Sequence, residues 1–120
     1  MRRVLCLSVL LWAGCQGETG PDPWAGKTGP KVLVTFPPLY SFAAAVAGPD
    51  AHVVSMLSTN GPHGFDPTPN EARLVAKADI FFMNGLGLDD SIVERLAKSR
   101  GSALKVVELG EALDKNTLHK

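Results

Sequence analysis

One histidine in this chain stands where a metal ion or a reacting group could be held. His63 lies between a proline and a glycine in the segment 61–69, which reads Gly-Pro-His-Gly-Phe-Asp-Pro-Thr-Pro. Pro62 restricts the backbone before the histidine, and a helix cap at Thr68 fixes the exit from the segment. A neutral imidazole is the commonest protein ligand for transition metals and a frequent catalytic base. From the residues alone, a metal ligand, a base and a solvent-exposed loop residue all remain open.

Asp66 is a second candidate ligand in the same segment. Its alternative roles are to turn the loop or to favour the positive end of the helix that follows. The chain has two other histidines. His52 precedes a predicted strand, which favours a surface position, and His119 lies in the C-terminal tail.

Several other chemistries are disfavoured by the sequence. Gly85 and Gly87 follow a predicted strand, but the third glycine of a dinucleotide fingerprint is missing, and Asp89 and Asp90 would repel phosphate groups. Ser91 has no base nearby in the sequence, so a helix-capping role is preferred over that of a nucleophile. We therefore do not expect an enzyme.

Charge argues against a nucleic-acid partner. The chain has 12 basic and 12 acidic side chains, so its formal net charge is zero. It contains no basic run or stripe that could neutralise phosphates.

The elements that would position His63 are those of an α/β fold. Continuous apolar runs predict four strands, and periodic segments between them predict three helices. The strands are expected over 32–36, 53–57, 80–83 and 104–109, and the helices over 39–47, 69–78 and from about residue 91. This alternation predicts a four-stranded, mainly parallel sheet with flanking helices and the strand order 2-1-3-4.

That strand order has two consequences. The loop that contains His63 lies at the carboxyl edge of the sheet, where open parallel sheets bind their ligands. The first helix stands alone on one face, and one short helix cannot cover four strands. Because parallel sheets are normally covered on both faces, we expect further chain or a partner on that side.

The N-terminus is typical of an exported protein. Arg2 and Arg3 precede an apolar run over 4–12, and small residues lead to Cys15, which predicts a signal peptide over 1–14. Small residues followed directly by cysteine resemble a bacterial lipobox, in which Cys15 would be lipidated. Trp12 stands where leucine is usual, so an ordinary cleaved signal with a chance cysteine is the alternative. Residues 15–30 are rich in glycine and proline and predict a flexible tether after the lipidated cysteine.

Four ordered motifs together resemble one family. The chain is similar to the cluster A-I substrate-binding lipoproteins of zinc and manganese ABC transporters, over residues 31 to about 109. The motifs lie at 34–40, 62–69, 77–82 and 84–89. The resemblance implies that residues 31–120 are the incomplete N-terminal lobe of a two-lobe receptor and that His63 is its first metal ligand. Gly61 replaces the acidic residue that the family has before the Pro-His pair.

The resemblance also implies a function. We expect an extracytoplasmic receptor that captures Zn²⁺ or Mn²⁺ as the transported ligand and delivers it to an ABC permease of the membrane. It would be a monomer held by its lipid anchor in the cell envelope, at the periplasmic or extracellular face of the membrane. Further ligands would come from a second lobe. The rival interpretations are a truncated surface adhesion or interaction lipoprotein that does not bind metal tightly alone, and a small Rossmann-like enzyme.

Overall fold

The computed structural model describes residues 20–59, 61–101 and 103–113. Four strands and three α-helices alternate along this part of the chain. They are β1 (Lys31–Val34), α1 (Pro37–Ala47), β2 (His52–Ser55), α2 (Pro69–Lys77), β3 (Ile80–Met83), α3 (Asp90–Leu96) and β4 (Lys105–Glu108). Single 3₁₀ turns lie at Gly48–Asp50, Ala97–Ser99 and Leu109–Ala112.

The four strands form one parallel sheet in the order β2-β1-β3-β4. Val32 of β1 is in register with Val53 of β2 and with Ile80 of β3, and Ile80 is in register with Lys105 of β4. The predicted fold class and strand order are therefore confirmed. Three of the four strands end one or two residues earlier than predicted, because their last apolar residues lie in the loops at the carboxyl edge.

Two of the three helices, α1 and α2, begin where the sequence has prolines or a capping motif. α1 includes both Pro37 and Pro38 in its first turn, where a missing backbone N–H costs nothing. α2 begins after Thr68, as predicted. Across the described ranges, no helix has the length and apolar character needed to cross a bilayer.

The larger core cluster lies between the sheet and the helices α2 and α3. Leu33 and Phe81, from the two central strands, are at most 1% exposed and form its centre. The helices contribute Leu74, Val75, Ile92 and Leu96.

The opposite face has only α1. Val32, Val34 and Leu39 form a small buried cluster there. The outer side of α1 has no charged residue and presents Phe42 and Val46, which are 69% and 90% exposed. An apolar groove of about 260 Å³ lies between this helix, Phe82 and Leu109. Within the described residues, this face of the sheet is covered only in part, as the distribution of helices predicts.

Residues 20–30 differ from the flexible tether that their composition predicts. Trp24 in this segment is 3% exposed and belongs to the larger core cluster. Asp22 forms an ion pair with Lys77 of α2, with 2.6 Å between Oδ2 and Nζ. The composition argument was wrong for this part because one large aromatic side chain, buried against a preformed helix face, is enough to hold a short glycine- and proline-rich segment in place.

Candidate metal centre

His63 lies at the tip of a tight turn. The backbone N–H of Phe65 donates to the carbonyl of Pro62 at 3.4 Å. Gly64 has φ +71°, which is the conformation that the third residue of a type II turn requires and that glycine adopts without strain. Pro62 is buried and His63 is exposed. The turn therefore anchors the backbone before the histidine and leaves the imidazole accessible to a ligand from solvent.

The chain after the turn is held by α3. Nη1 of Arg95 donates to the carbonyl of Phe65 and to Oδ1 of Asp66, both at 3.1 Å. Phe65 packs against the larger core cluster. The ion pair is solvent-exposed and is expected to contribute no more than about 1 kcal/mol, but the two bonds from one guanidinium link the His63 loop to a helix 30 residues further along.

The entry into α2 fixes the far end of the loop. Thr68 is the N-cap residue, and its Oγ1 accepts from the N–H of Asn70 at 3.2 Å. Glu71 completes the predicted capping box by accepting from the N–H of Thr68 at 2.8 Å and from its hydroxyl. The loop is thus held at its turn, at its middle and at its exit.

The His63 loop starts at the carboxyl edge of the sheet, as predicted. Beyond the end of β2, the N–H of Met56 donates to the carbonyl of Val34 at 2.8 Å, and that of Leu57 to the carbonyl of Thr35 at 3.0 Å. The chain leaves the sheet after these bonds. This edge is where a ligand of an open parallel sheet is expected.

The other candidate residues lie apart from His63 or outside the described ranges. His52 is the first residue of β2, at the amino edge, and its Nε2 donates to the carbonyl of Thr28 at 2.7 Å. Asp66 pairs with Arg95 and is 89% exposed in its side chain, so this geometry agrees with a loop-fixing role. Cys15 and His119 lie outside the described residues.

Sequence reasoning missed the role of Asp89 in the neighbouring loop at the same edge. This carboxylate is fully buried. It accepts from the N–H groups of Asn84 and Gly85, both at 2.8 Å, so it closes the loop between β3 and α3. The spacing Asn-Gly-x-Gly-x-Asp contained the signal, because a carboxylate four or five residues after a turn can satisfy the N–H groups of that turn.

Gly110 brings the end of β4 against the same loop. Its N–H donates to the carbonyl of Asn84 at 2.8 Å. A Cβ at this position would lie 2.5 Å from Cγ of Leu86 and 2.8 Å from the carbonyl oxygen of Asn84. Only glycine fits this contact, which joins the last two loops of the carboxyl edge.

No group of three or more histidine, cysteine, aspartate or glutamate side chains is poised to hold a metal within ranges 20–59, 61–101 and 103–113. A closed transition-metal site generally has about four ligands. The described residues therefore offer one well-positioned, exposed imidazole at the sheet edge, and a metal bound there would need donors from elsewhere.

The parallel sheet and its helices define an α/β lobe of the type found in metal-binding periplasmic proteins. A periplasmic metal-binding protein from Candidatus Liberibacter asiaticus has the same fold over 71% of this chain and 32% of its own, with a TM-score of 0.65 and 19% identity. Zn(II)-bound AdcA from Streptococcus pneumoniae matches over 68% of this chain and 18% of its own, with a TM-score of 0.56 and 22% identity.

The sequence comparisons identify the family. Residues 32–120 match the family described as "ZnuA: Zinc-uptake complex component A periplasmic", and the chain belongs to it. The manganese-binding lipoprotein MntA of Halalkalibacterium halodurans is 30% identical over 112 residues. The alignment covers 92% of this chain but only 36% of that relative. The resemblance predicted from the four motifs, to the N-terminal part of a metal-binding receptor, is confirmed.

Proposed function

We propose that this chain is the N-terminal lobe of an extracytoplasmic receptor that captures Zn²⁺ or Mn²⁺ for an ABC permease. His63 supplies one ligand, and the protein makes or breaks no covalent bond in its substrate. Membership of the zinc-uptake family and the likeness to a manganese-binding lipoprotein support the cargo class.

The observation that carries the proposal is the geometry of the His63 loop. An exposed imidazole stands on a turn closed by the bond from Phe65 to Pro62, and the loop exit is held by Arg95 and by the Thr68 cap. A ligand whose backbone is held in this way loses little backbone conformational entropy when it binds a metal.

The chemistry of the ligand suits both cations. Imidazole nitrogen coordinates zinc and other divalent first-row metals, whereas the choice among them depends on the remaining ligands and on geometry. Binding through imidazole requires its neutral form, so the proposed site releases metal as the pH falls.

The experiment is a metal titration of a complete receptor that contains this lobe. We expect His63→Ala to weaken Zn²⁺ or Mn²⁺ binding by more than about 100-fold, because loss of only a hydrogen bond to a ligand already costs about 10- to 100-fold. Competition with a chromophoric chelator measures the dissociation constants of the parent and variant receptors.

The matched control is His52→Gln. This change also removes a histidine, but at the amino edge, and the new amide can still donate to the carbonyl of Thr28. Metal affinity should stay within twofold of that of the parent receptor. An unchanged affinity in His63→Ala, with both variants folded, would exclude His63 from the site.

We also propose the predicted processing and location. Residues 1–14 act as the signal peptide, Cys15 is the lipidated first residue of the mature protein, and residues 31–120 form the lobe, which works as a monomer at the outer face of the membrane. Labelled fatty acid should be incorporated into the parent chain and not into Cys15→Ala. Equal labelling of both would refute the anchor.

A surface interaction module is the second candidate function. The uncharged outer side of α1, with Phe42 and Val46 largely exposed, favours it because such apolar patches mark interaction sites. A metal titration of a complete receptor that contains this lobe separates the two functions. Tight binding of one metal per receptor supports the receptor function, and no binding supports the interaction module.

A further inference from the structure

The segment that joins the proposed anchor to the lobe is docked along α2. We call residues 20–30 the strap. The Trp24 side chain lies in the core cluster with Leu74 and Ala78. Its indole N–H has no hydrogen-bond partner among the described residues, so apolar contact is what holds it in place.

Polar contacts secure the strap on either side of Trp24. Oδ1 of Asp22 accepts from the N–H of Trp24 at 3.1 Å, and Oδ2 accepts from Lys77 at 2.6 Å. The N–H of Lys27 donates to the carbonyl of Trp24 at 3.0 Å, which closes a turn. Near the end of the strap, the carbonyl of Thr28 accepts from His52.

The strap runs in the same direction as α2. Gly20 lies beside Asn70 in the first turn of the helix, since a Cβ added to Gly20 would lie 3.8 Å from Oδ1 of Asn70. Asp22 reaches Lys77, the last residue of α2. The strap then meets β1, where the N–H of Lys31 donates to Asp79 at 2.8 Å.

This direction decides which edge of the sheet the anchor can reach. α2 follows the His63 loop, so its first turn lies at the carboxyl edge. Cys15 precedes Gly20 by five residues, which span at most about 18 Å. Without the docked strap, the first fixed residue would be Lys31, at the amino edge, sixteen residues and up to about 55 Å from Cys15.

We propose that the strap holds the carboxyl edge of the sheet, with His63, toward the surface of the phospholipid bilayer. The inference rests on the proposed lipid anchor at Cys15. A docked strap keeps Gly20, beside the first turn of α2, within about 18 Å of the acylated residue. With a released strap, the lobe would be tethered through Lys31 at the amino edge. The edge that contains His63 would thus face the membrane in which the permease lies.

The first measurement follows the strap alone. The chain has two tryptophans, Trp12 and Trp24, so Trp24 is the only one left after residues 1–14 are removed. Its fluorescence emission should be that of a buried indole and should resist quenching by iodide. Asp22→Lys, which places a second cation against Lys77, should raise iodide quenching at least twofold. The matched control Asp50→Lys makes the same charge change on an exposed 3₁₀ turn and should leave the quenching unchanged.

The second measurement follows the orientation. Cys6 leaves with the signal and Cys15 is acylated, so a cysteine placed elsewhere labels uniquely. We would label Ser58→Cys at the carboxyl edge and Lys98→Cys beyond the end of α3, at the amino edge. The acylated chain is reconstituted in vesicles of phosphatidylcholine and phosphatidylglycerol that contain a fluorescent headgroup acceptor. Energy transfer should be at least twofold more efficient from position 58 than from position 98.

Releasing the strap should remove that difference. In Asp22→Lys and in Trp24→Ser, each with the circular dichroism spectrum of the parent fold, transfer from position 58 should fall to or below that from position 98. Equal transfer from both positions in the parent chain, with Trp24 buried, would overturn the orientation. A chain that incorporates no fatty acid but keeps Trp24 buried would refute the anchor and the orientation together, while the docked strap would stand.

Discussion

The two faces of the sheet differ in how completely they are closed. On one face, α2, α3 and the strap enclose eleven buried residues. On the other face, α1 encloses three, and the described residues leave Phe42 and Val46 in solvent. Adjacent residues of β3 face these two environments, because successive strand residues point to opposite sides.

The difference distinguishes the contacts that stabilise the lobe from the surface that it leaves available for binding. The closed face contains the burial that stabilises the described residues, and it also contains the contacts that hold the His63 loop, through Phe65 and Arg95. The open face adds little burial and keeps a helix that is uncharged all round, a type of helix that normally lies inside a protein.

The largest expected effect compares neighbouring phenylalanines of β3. Phe81 is 1% exposed on the closed face, and Phe82 is half-buried on the open face. Phe81→Ala should lower the free energy of unfolding by about 3–5 kcal/mol, and Phe82→Ala should cost less than half as much. Urea denaturation of the two variants measures both losses. Equal losses would mean that the two faces contribute equally.

The next effect compares a capping hydroxyl on the closed face with a hydroxyl inside α1 on the open face. Thr68 caps α2 on the closed face, so Thr68→Ala should cost about 1 kcal/mol. Ser41 on α1 only donates to the carbonyl of Pro37 within an exposed helix, so Ser41→Ala should change the stability by less than about 0.5 kcal/mol. A loss in Ser41→Ala as large as in Thr68→Ala would contradict this difference.

Lowering the pH should release the strap from the closed face. The hydrogen bond from Lys77, followed by that from the backbone of Trp24, lowers the pKa of Asp22 below its ordinary value of 3.8. Because the pKa of Asp22 is lower in the folded state, its ionised carboxylate stabilises the docked strap at pH values above the ordinary pKa. This stabilisation is lost as the pH falls through the lowered pKa. Iodide quenching of Trp24 should therefore rise only below about pH 4. This rise in quenching on acidification should be absent in Asp22→Asn and should persist in Asp50→Asn.

The smallest effect is expected on the open face. Val46 is 90% exposed, so Val46→Glu should change the free energy of unfolding of this chain by less than about 0.5 kcal/mol. Thermal unfolding followed by circular dichroism measures it. A loss of about 2 kcal/mol would mean that Val46 packs against another part of the chain and that the face is closed.

Much of the fold could be predicted because its signals are local. The apolar runs of β1 and β3, the capping box at Thr68 and the prolines at the start of α1 each act within a few residues. Their alternation then leaves few topologies, since parallel crossovers are right-handed. The position of His63 at the carboxyl edge follows from that topology.

The contacts that complete the site region could not be predicted in this way. Arg95 reaches the His63 loop across 30 residues of sequence, and Asp22 reaches Lys77 across 55. From the sequence alone, Asp89 is only a group that would repel phosphate, but in the fold it is buried and accepts hydrogen bonds from its own loop. Such pairings depend on which surfaces the fold brings together.

By itself, the sequence determined the α/β class, the strand order and the place of the His63 loop at the carboxyl edge, because periodicity, caps and turn residues act over short distances. Only the tertiary structure decided that residues 20–30 form a strap and not a free tether. Their glycines and prolines favour a flexible chain, whereas the burial of Trp24 against α2 favours the docked strap. That burial depends on a surface that exists only after α2 has packed on the sheet.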